Sequence, residues 1–128
     1  MTLKKDERLR GCIGYIEAVK PLWETIFDMA RAAAFKDYRF APLKEEEIED
    51  LSIEISVLSP IRQIDDPSQV SVGKHGLIIT RGPNRGLLLP QVPTEWGWER
   101  EEFLAQTCVK AGLPADSWKV PGTRLEVF

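Results

Sequence analysis

The chain contains few of the residues on which redox and metal chemistry usually depend, with two cysteines and one histidine among 128 residues. A single histidine cannot form a multi-histidine metal site, so a metal would need Cys12, Cys108 or carboxylates as its other ligands. The two cysteines are far apart and no signal peptide precedes them, which favours free thiols in a reducing compartment. We therefore expect a cytoplasmic protein without a metal centre or a cofactor.

Several sequence motifs that would identify a function are also missing. There is no Walker A string, no GxGxxG and no CxxC, so nucleotide-fold, Rossmann and iron–sulfur functions lack support. No apolar run approaches the roughly 18 residues of a membrane helix. The net charge of −3 disfavours nonspecific binding to nucleic acid or to a membrane surface, and we expect neither as a partner.

The composition that remains is that of an ordinary globular chain, 43% hydrophobic and 29% charged, whose length fits one domain over residues 1–128. Apolar periodicity predicts strands and helices in alternation. Two hairpins are predicted, one from the strands 2–5 and 8–16 and the other from the strands 77–81 and 86–89. Two further predicted strands are 51–58 and 123–128. The predicted helices are 21–36 and 98–111, with helical turns at 44–50 and loops at 61–76 and 91–97. This order indicates an α+β fold, a mainly antiparallel sheet with flanking helices.

Residues 51–58 show the clearest strand pattern. Apolar side chains alternate with polar ones, so Ile53 and Ile55 are expected in the core and Glu54 on the opposite face, between Ser52 and Ser56. If that polar face is solvated, Glu54 has no special role. If it faces a cleft, Glu54 is a candidate ligand-binding or acid–base group.

The stretch Leu-Arg-Gly-Cys-Ile-Gly at 9–14 is the most informative part of the chain. Residues 10 and 12 of an extended strand share one face, so Arg10 and Cys12 are expected to project together, with the cation favouring the reactive thiolate. Gly11 and Gly14 indicate a bulge or a place where a ligand or another backbone comes close. Alternatively, Cys12 is a small buried hydrophobic residue.

Further candidates lie in segments rich in turn-forming residues. His75, between Lys74 and Gly76, is either a general base near Cys12 or a solvated turn residue. The loop at 91–97 offers an amide, a carboxylate and an indole that could line a small-molecule pocket, or that could anchor the loop to the core. These side chains are Gln91, Glu95 and Trp96.

Several segments, in this order, resemble the AMMECR-type domain family, whose prokaryotic members are called AmmeMemoRadiSam system protein A. They are 9–14, the helix end at 33–35, 53–58 (IEISVL), 76–79, 86–93 (GLLLPQVP), 95–98 (EWGW) and the helix 103–112. The resemblance implies two subdomains around a cleft, with residues 9–14 near it. The family has no established activity, and its name implies a pathway shared with a Memo-type and a radical-SAM protein.

The resemblance leaves two function hypotheses. The first is a binding or adaptor module that holds a small molecule or a peptide in its cleft and works with those companions. The second is an enzyme in which Arg10 binds an anionic group, Cys12 is the nucleophile or redox thiol, and Glu54 or His75 moves protons.

The chain is short at its front compared with the family, whose members carry several dozen residues before the first hairpin. Lacking that N-terminal segment would uncover apolar surface on the first helix or on an edge strand at 2–5. We therefore expect a homodimer that covers this surface.

Overall fold

The structure, a computed structural model, describes residues 1–128 and divides them into two units, Met1–Leu58 and Ser59–Phe128. Each unit has its own antiparallel sheet and at least one helix. The predicted α+β class with antiparallel pairing is therefore confirmed, although the strands form two sheets.

The first unit has a three-stranded sheet in the order β2-β1-β3. Its strands are β1 (Thr2–Lys5), β2 (Arg8–Cys12) and β3 (Leu51–Glu54), its helix is α1 (Leu22–Phe35), and Glu45–Asp50 is a 3₁₀ helix. The prediction that β1 is an edge strand is wrong, because β1 is paired on both sides. The edges of this sheet are β2 and β3.

Helix α1 covers one face of this sheet. The β1 residue Leu3, paired with Gly11 of β2, is buried together with Met29, Ala32 and Ala33 of the helix. The apolar positions of α1 recur at helical spacing, but Leu22, Trp23, Phe27 and Phe35 are exposed, so Met29, Ala32 and Ala33 form the buried stripe. The first unit is thus a small sheet with one helix packed on it.

The predicted burial of residues 51–58 is wrong. β3 ends at Glu54, which pairs with Thr2, the first residue of β1, so residues 55–58 have no partner in β1. The exposed fractions of Ile53, Ile55 and Val57 are 62%, 47% and 66%. The apolar alternation is real, but the structure places no element over these side chains.

The second unit has a four-stranded sheet in the order β4-β7-β5-β6. Its elements are β4 (Arg62–Ile64), β5 (Leu77–Arg81), β6 (Asn84–Leu88), α2 (Gln91–Trp96), α3 (Arg100–Lys110) and β7 (Arg124–Val127), with 3₁₀ helices at Pro67–Gln69 and Ser117–Lys119. No helix of the protein is both long and apolar enough to cross a membrane.

The core of the second unit lies between its sheet and α3. Leu77, Ile79, Phe103 and Leu104 are fully buried there, and Cys108 lies among them. Burial raises the pKa of the Cys108 thiol. Cys108 is therefore a packing residue of this core.

Two predicted loops of the second unit contain regular structure. Residues 61–76 include β4, and residues 91–96 form α2. Pro93 is compatible with α2 because it stands in the first turn, where a missing N–H costs no helical hydrogen bond. Gly97 ends the helix with φ of 67°, a conformation that favours glycine.

Candidate functional site

The candidate site is built on β2, which contains a bulge at Arg10. Leu3 pairs with Gly11 and Lys4 with Leu9, so no residue of β1 stands opposite Arg10. The bulge interrupts the strict alternation from which Arg10 and Cys12 were expected to project together. The two side chains make hydrogen bonds to different groups.

Arg10 is held by the 3₁₀ helix at Glu45–Asp50. Its Nε and Nη2 donate to the two carboxylate oxygens of Glu47 at 2.9 Å each, a bidentate pair. This hydrogen bonding lowers the pKa of Glu47 from 4.5 to about 2, with further support from the Lys44 N–H. Arg10 therefore connects β2 with the 3₁₀ helix. Its remaining nitrogen, Nη1, is buried without a hydrogen-bond partner.

Gly11 is required by close packing against α1. A Cβ atom at this position would lie 2.2 Å from the carbonyl oxygen of Ala33, whereas one at Gly14 would meet only the Met1 nitrogen at 3.9 Å. Of the explanations offered for the glycines, the structure shows a bulge, at the neighbouring Arg10, and the close approach of another backbone, at the Ala33 carbonyl. Gly14 is exposed and has no such constraint.

The backbone of Cys12 on the outer edge of β2 is hydrogen-bonded by side chains from the segment after α1. Its N–H donates to Oδ2 of Asp37 at 2.9 Å, and its carbonyl oxygen accepts from Nη2 of Arg39 at 3.4 Å. Asp37 and Arg39 thus form hydrogen bonds with the N–H and the carbonyl oxygen of Cys12, as the backbone of a neighbouring strand would. We call Asp37 and Arg39 the edge clamp.

The two residues of the edge clamp are also bonded to each other. Nε and Nη2 of Arg39 donate to the two oxygens of Asp37 at 2.9 and 2.6 Å. Asp37 is buried, with 5% of its surface exposed, yet it stays ionised because Arg39, and then the Cys12 N–H, hold its pKa well below its ordinary value of 3.8. A buried carboxylate with these partners fixes the position of β2.

Cys12, Thr2 and Glu54 lie side by side across the three strands, on the sheet face opposite α1. Thr2 pairs with Cys12 on one side and with Glu54 on the other. The Cys12 sulfur is 3.2 Å from the Thr2 hydroxyl, and the Glu54 carboxylate forms a 2.9 Å ion pair with Lys4. All four are half-buried. We call this surface the cysteine face.

The remaining predicted site residues belong to the second unit. The Nδ1 atom of His75 accepts a hydrogen bond from the Ser71 N–H at 3.2 Å, which closes a turn. Gln91 and Glu95 lie on α2, half-buried and exposed respectively, and Trp96 is 70% exposed. The ring of Trp96 stacks on that of Trp98, with 6.1 Å between centroids, and Trp98 packs against the core.

No three histidine, cysteine, aspartate or glutamate side chains of the chain are grouped so that they could hold a metal ion.

Sequence reasoning missed the residues that organise the site. Asp37 and Arg39 follow the predicted helix 21–36, where no element is predicted, and Glu47 stands in the predicted helical turns at 44–50. Their partners on β2 are 25 or more residues away in sequence, so no local pattern joins them to that strand. The one available signal is an acidic and a basic residue two positions apart directly after a helix.

The comparisons with known proteins agree with this architecture. The family model described as AMMECR1 matches residues 1–128. The chain belongs to the AMMECR1 family.

Relatives of this AMMECR1-family protein are found in archaea and bacteria. A protein of Methanothermobacter thermautotrophicus is 52% identical over 134 residues, covering 100% of this chain and 70% of the relative. A protein of Aquifex aeolicus is 48% identical over 128 residues, covering 96% and 66%. The crystal structure of uncharacterized protein PH0010 from Pyrococcus horikoshii matches with a TM-score of 0.94 and 45% identity, over 99% of this chain and 68% of that one. The chain therefore spans about two thirds of these relatives.

Proposed function

We propose that this protein is a cytoplasmic binding or adaptor module that holds a small molecule or a peptide on its cysteine face. The observation that supports this proposal is how the polar side chains of the cysteine face are paired with one another. The Cys12 sulfur contacts the Thr2 hydroxyl, which is not a base at neutral pH, and Glu54 is ion-paired with Lys4. Donors and acceptors arranged in this way suit recognition by hydrogen bonding better than proton transfer.

The edge clamp supports this proposal by making the surface rigid. Because both outward backbone groups of Cys12 are bonded to buried Asp37 and to Arg39, the strand that carries the thiol is fixed before a ligand arrives. A preorganised surface loses less conformational entropy on binding and therefore gains affinity.

The proposal extends to companions and to further contacts. On the second unit, Gln91, Glu95 and Trp96 of α2 form a separate set of proposed ligand contacts. The companions are the Memo-type and radical-SAM proteins that the prokaryotic family name records. These parts rest on the resemblance described for residues 9–14 and the segments that follow it.

Calorimetric titration of the full chain with the purified Memo-type protein and the purified radical-SAM protein of the same genome tests the proposal. We expect one of them to bind, and Glu54→Gln to weaken binding about tenfold, the effect of losing one charged contact of about 1.4 kcal/mol. Glu49→Gln is the matched control, because Glu49 is an exposed carboxylate of the same unit. Wild-type affinity in both Glu54→Gln and Cys12→Ser would exclude the cysteine face as the binding surface.

A second candidate function, thiol chemistry by Cys12 on a small molecule or peptide, is favoured by one observation. The guanidinium of Arg39 lies beside the residue that carries the thiol. Nη2 of Arg39 donates to the Cys12 carbonyl oxygen at 3.4 Å, so Arg39 takes the role expected of Arg10, that of the cation beside the nucleophile, with Glu54 moving protons.

Labelling of Cys12 by iodoacetamide as a function of pH tests this second candidate. If Arg39 activates the thiol, Arg39→Met moves the midpoint of labelling to higher pH and Arg10→Met leaves it in place. Identical midpoints in the wild type and in Arg39→Met would remove the enzyme hypothesis.

A further inference from the structure

The second unit contains an open cavity of about 840 Å³, a volume within the range of small-molecule sites. Its walls come from three segments of this one unit, which are residues 67–72, residues 98–104 at the start of α3, and Trp118. Val70 and Leu104 line the cavity and are also buried members of the core. The cavity therefore lies directly against the packed interior of its unit.

Two indole rings line this cavity and are held in place by neighbouring side chains. Trp98 and Trp118 are half-buried, and both pack against the core. The ring of Trp98 stacks on that of Trp96 with 6.1 Å between centroids, and Nζ of Lys119 lies 4.8 Å from the centre of the Trp118 ring. Rings that are already fixed lose little freedom on binding, and they favour a ligand that contains an aromatic ring.

Arg100 provides a cation at the same cavity. Its Nε donates to the carbonyl oxygen of Val70 at 3.0 Å, which fixes the guanidinium at the cavity wall. Its two terminal nitrogens make no hydrogen bond, and no carboxylate of the chain lies within ion-pair distance of them. By contrast, Arg10 and Arg39 are each paired with a carboxylate. A guanidinium presents N–H groups in a fork that matches the two oxygens of a carboxylate, so Arg100 is suited to bind a carboxylate from outside the chain.

Two carboxylates also line the cavity, on either side of Arg100 in the chain. Glu99 and Glu101 are exposed, and neither forms an ion pair. With one arginine and two glutamates the lining is net negative, which disfavours polyanions such as nucleotide phosphates. A ligand that carries both an ammonium group and a carboxylate matches both signs of charge.

We propose that this cavity binds a small zwitterion with an aromatic ring, the chemistry of an aromatic amino acid. Arg100 binds the carboxylate, Glu101 binds the ammonium group, and the indoles of Trp98 and Trp118 pack against the ring. Arg100 and Glu101 are adjacent in the chain, just as the two charged groups of an amino acid are adjacent on its α-carbon. The site goes beyond the proposed function, because the cavity belongs to the second unit and the cysteine face to the first.

Titration of the full chain with L-phenylalanine, followed by nuclear magnetic resonance of the indole N–H groups, tests the site. We expect the signals of Trp98 and Trp118 to shift and to saturate. Trp23 of α1 is the internal control, because it is 72% exposed and lies in the first unit, so its signal should stay in place. Shifts of Trp23 as large as those of Trp98, or no saturable shift at millimolar L-phenylalanine, would overturn the proposal.

Two analogues of the probe test the charged contacts separately. Hydrocinnamate keeps the ring and the carboxylate, whereas phenethylamine keeps the ring and the ammonium group. Arg100→Gln should raise the dissociation constant of hydrocinnamate about tenfold without weakening phenethylamine, and Glu101→Gln should do the reverse. Arg85→Gln is the control, because Arg85 is an exposed arginine of the same unit outside the cavity. Equal weakening of both analogues by Arg100→Gln, or no weakening by either variant, would contradict the assigned ligand chemistry.

Discussion

At the scale of single residues, Asp37 is the buried carboxylate of the edge clamp. One buried carboxylate accepts hydrogen bonds from the backbone of Cys12 and from the backbone and side chain of Arg39. It joins the end of α1 to the edge strand that carries the thiol. Replacing it leaves an arginine and a backbone N–H without their acceptor, which costs more than the lost bond itself.

Asp37→Asn is therefore expected to destabilise the protein by about 1–3 kcal/mol, the range for hydrogen bonds to charged groups. Urea denaturation followed by circular dichroism measures the change. Asp65→Asn is the control, because Asp65 is exposed, and it should leave the midpoint unchanged. Equal midpoints for the two variants would mean that the edge clamp contributes nothing to stability.

The pairing of Arg10 with Glu47 predicts how stability depends on pH. Arg10 lowers the pKa of Glu47 from 4.5 to about 2 in the folded protein, so the unfolded chain takes up the proton first as pH falls. The contribution of Glu47 is complete above pH 4.5 and is lost as pH falls towards 2. Asp37, whose pKa is also lowered, adds to the loss in the acidic range.

Acid unfolding of the wild type and of Glu47→Gln checks this dependence. We expect the free energy of unfolding of the wild type to fall between pH 4.5 and 2, and the variant, which lacks the titrating group, to show a shallower decline. Parallel curves for the two proteins would show that Glu47 titrates normally in the folded state.

At the scale of elements, the packing of α1 on β2 depends on a missing side chain. Gly11→Ala would place a Cβ 2.2 Å from the Ala33 carbonyl oxygen, so the helix or the strand must shift. Overpacking of this kind costs about 1–3 kcal/mol. Gly14→Ala is the matched control, because the same methyl group has open space there. Thermal unfolding should give a lower Tm for the first variant alone, and similar values for both would mean that α1 adjusts freely.

Elements defined by local periodicity are the ones that the sequence predicts well. The spacing of apolar residues predicts α1 and α3, and both are confirmed to within a few residues. Alternation at 51–58 identifies an apolar face but contains no information about what covers it, and the predicted burial is wrong. Helix α2 is predicted as a loop because it contains Pro93 and is followed by Gly97, which are typical of loops. Both are compatible with a helix, since proline is tolerated in the first turn and glycine at the end.

The candidate site is predicted less completely than the fold. The stretch at 9–14 predicts a role for Cys12, which stays a prediction, whereas the bulge at Arg10 and the contact with Asp37 depend on residues that meet only in the folded chain. Residues i and i+2 share one face only while a strand is regular, and one extra residue in a bulge ends this alternation. Hydrogen bonds between residues 25 positions apart leave no trace in local patterns.

At the scale of the whole molecule, the two cysteines differ in their exposure, so their labelling rates measure different openings of the structure. Cys12 is half-exposed, whereas Cys108 is fully buried and its pKa is raised by that burial. We expect iodoacetamide to modify Cys12 in the native protein and Cys108 only when the second unit opens. Mass spectrometry of each cysteine over time measures both rates, and fast labelling of Cys108 without denaturant would contradict the native packing of its core.

The edge clamp also has a consequence for how far association can proceed. A sheet with two accessible edges can add strands on both sides, and such chains polymerise into fibrils. Because Asp37 and Arg39 occupy the outer backbone groups of Cys12, an incoming strand finds no free donor or acceptor at this residue of β2. The same pair of charges that orders the thiol therefore also discourages the addition of a foreign strand at this edge.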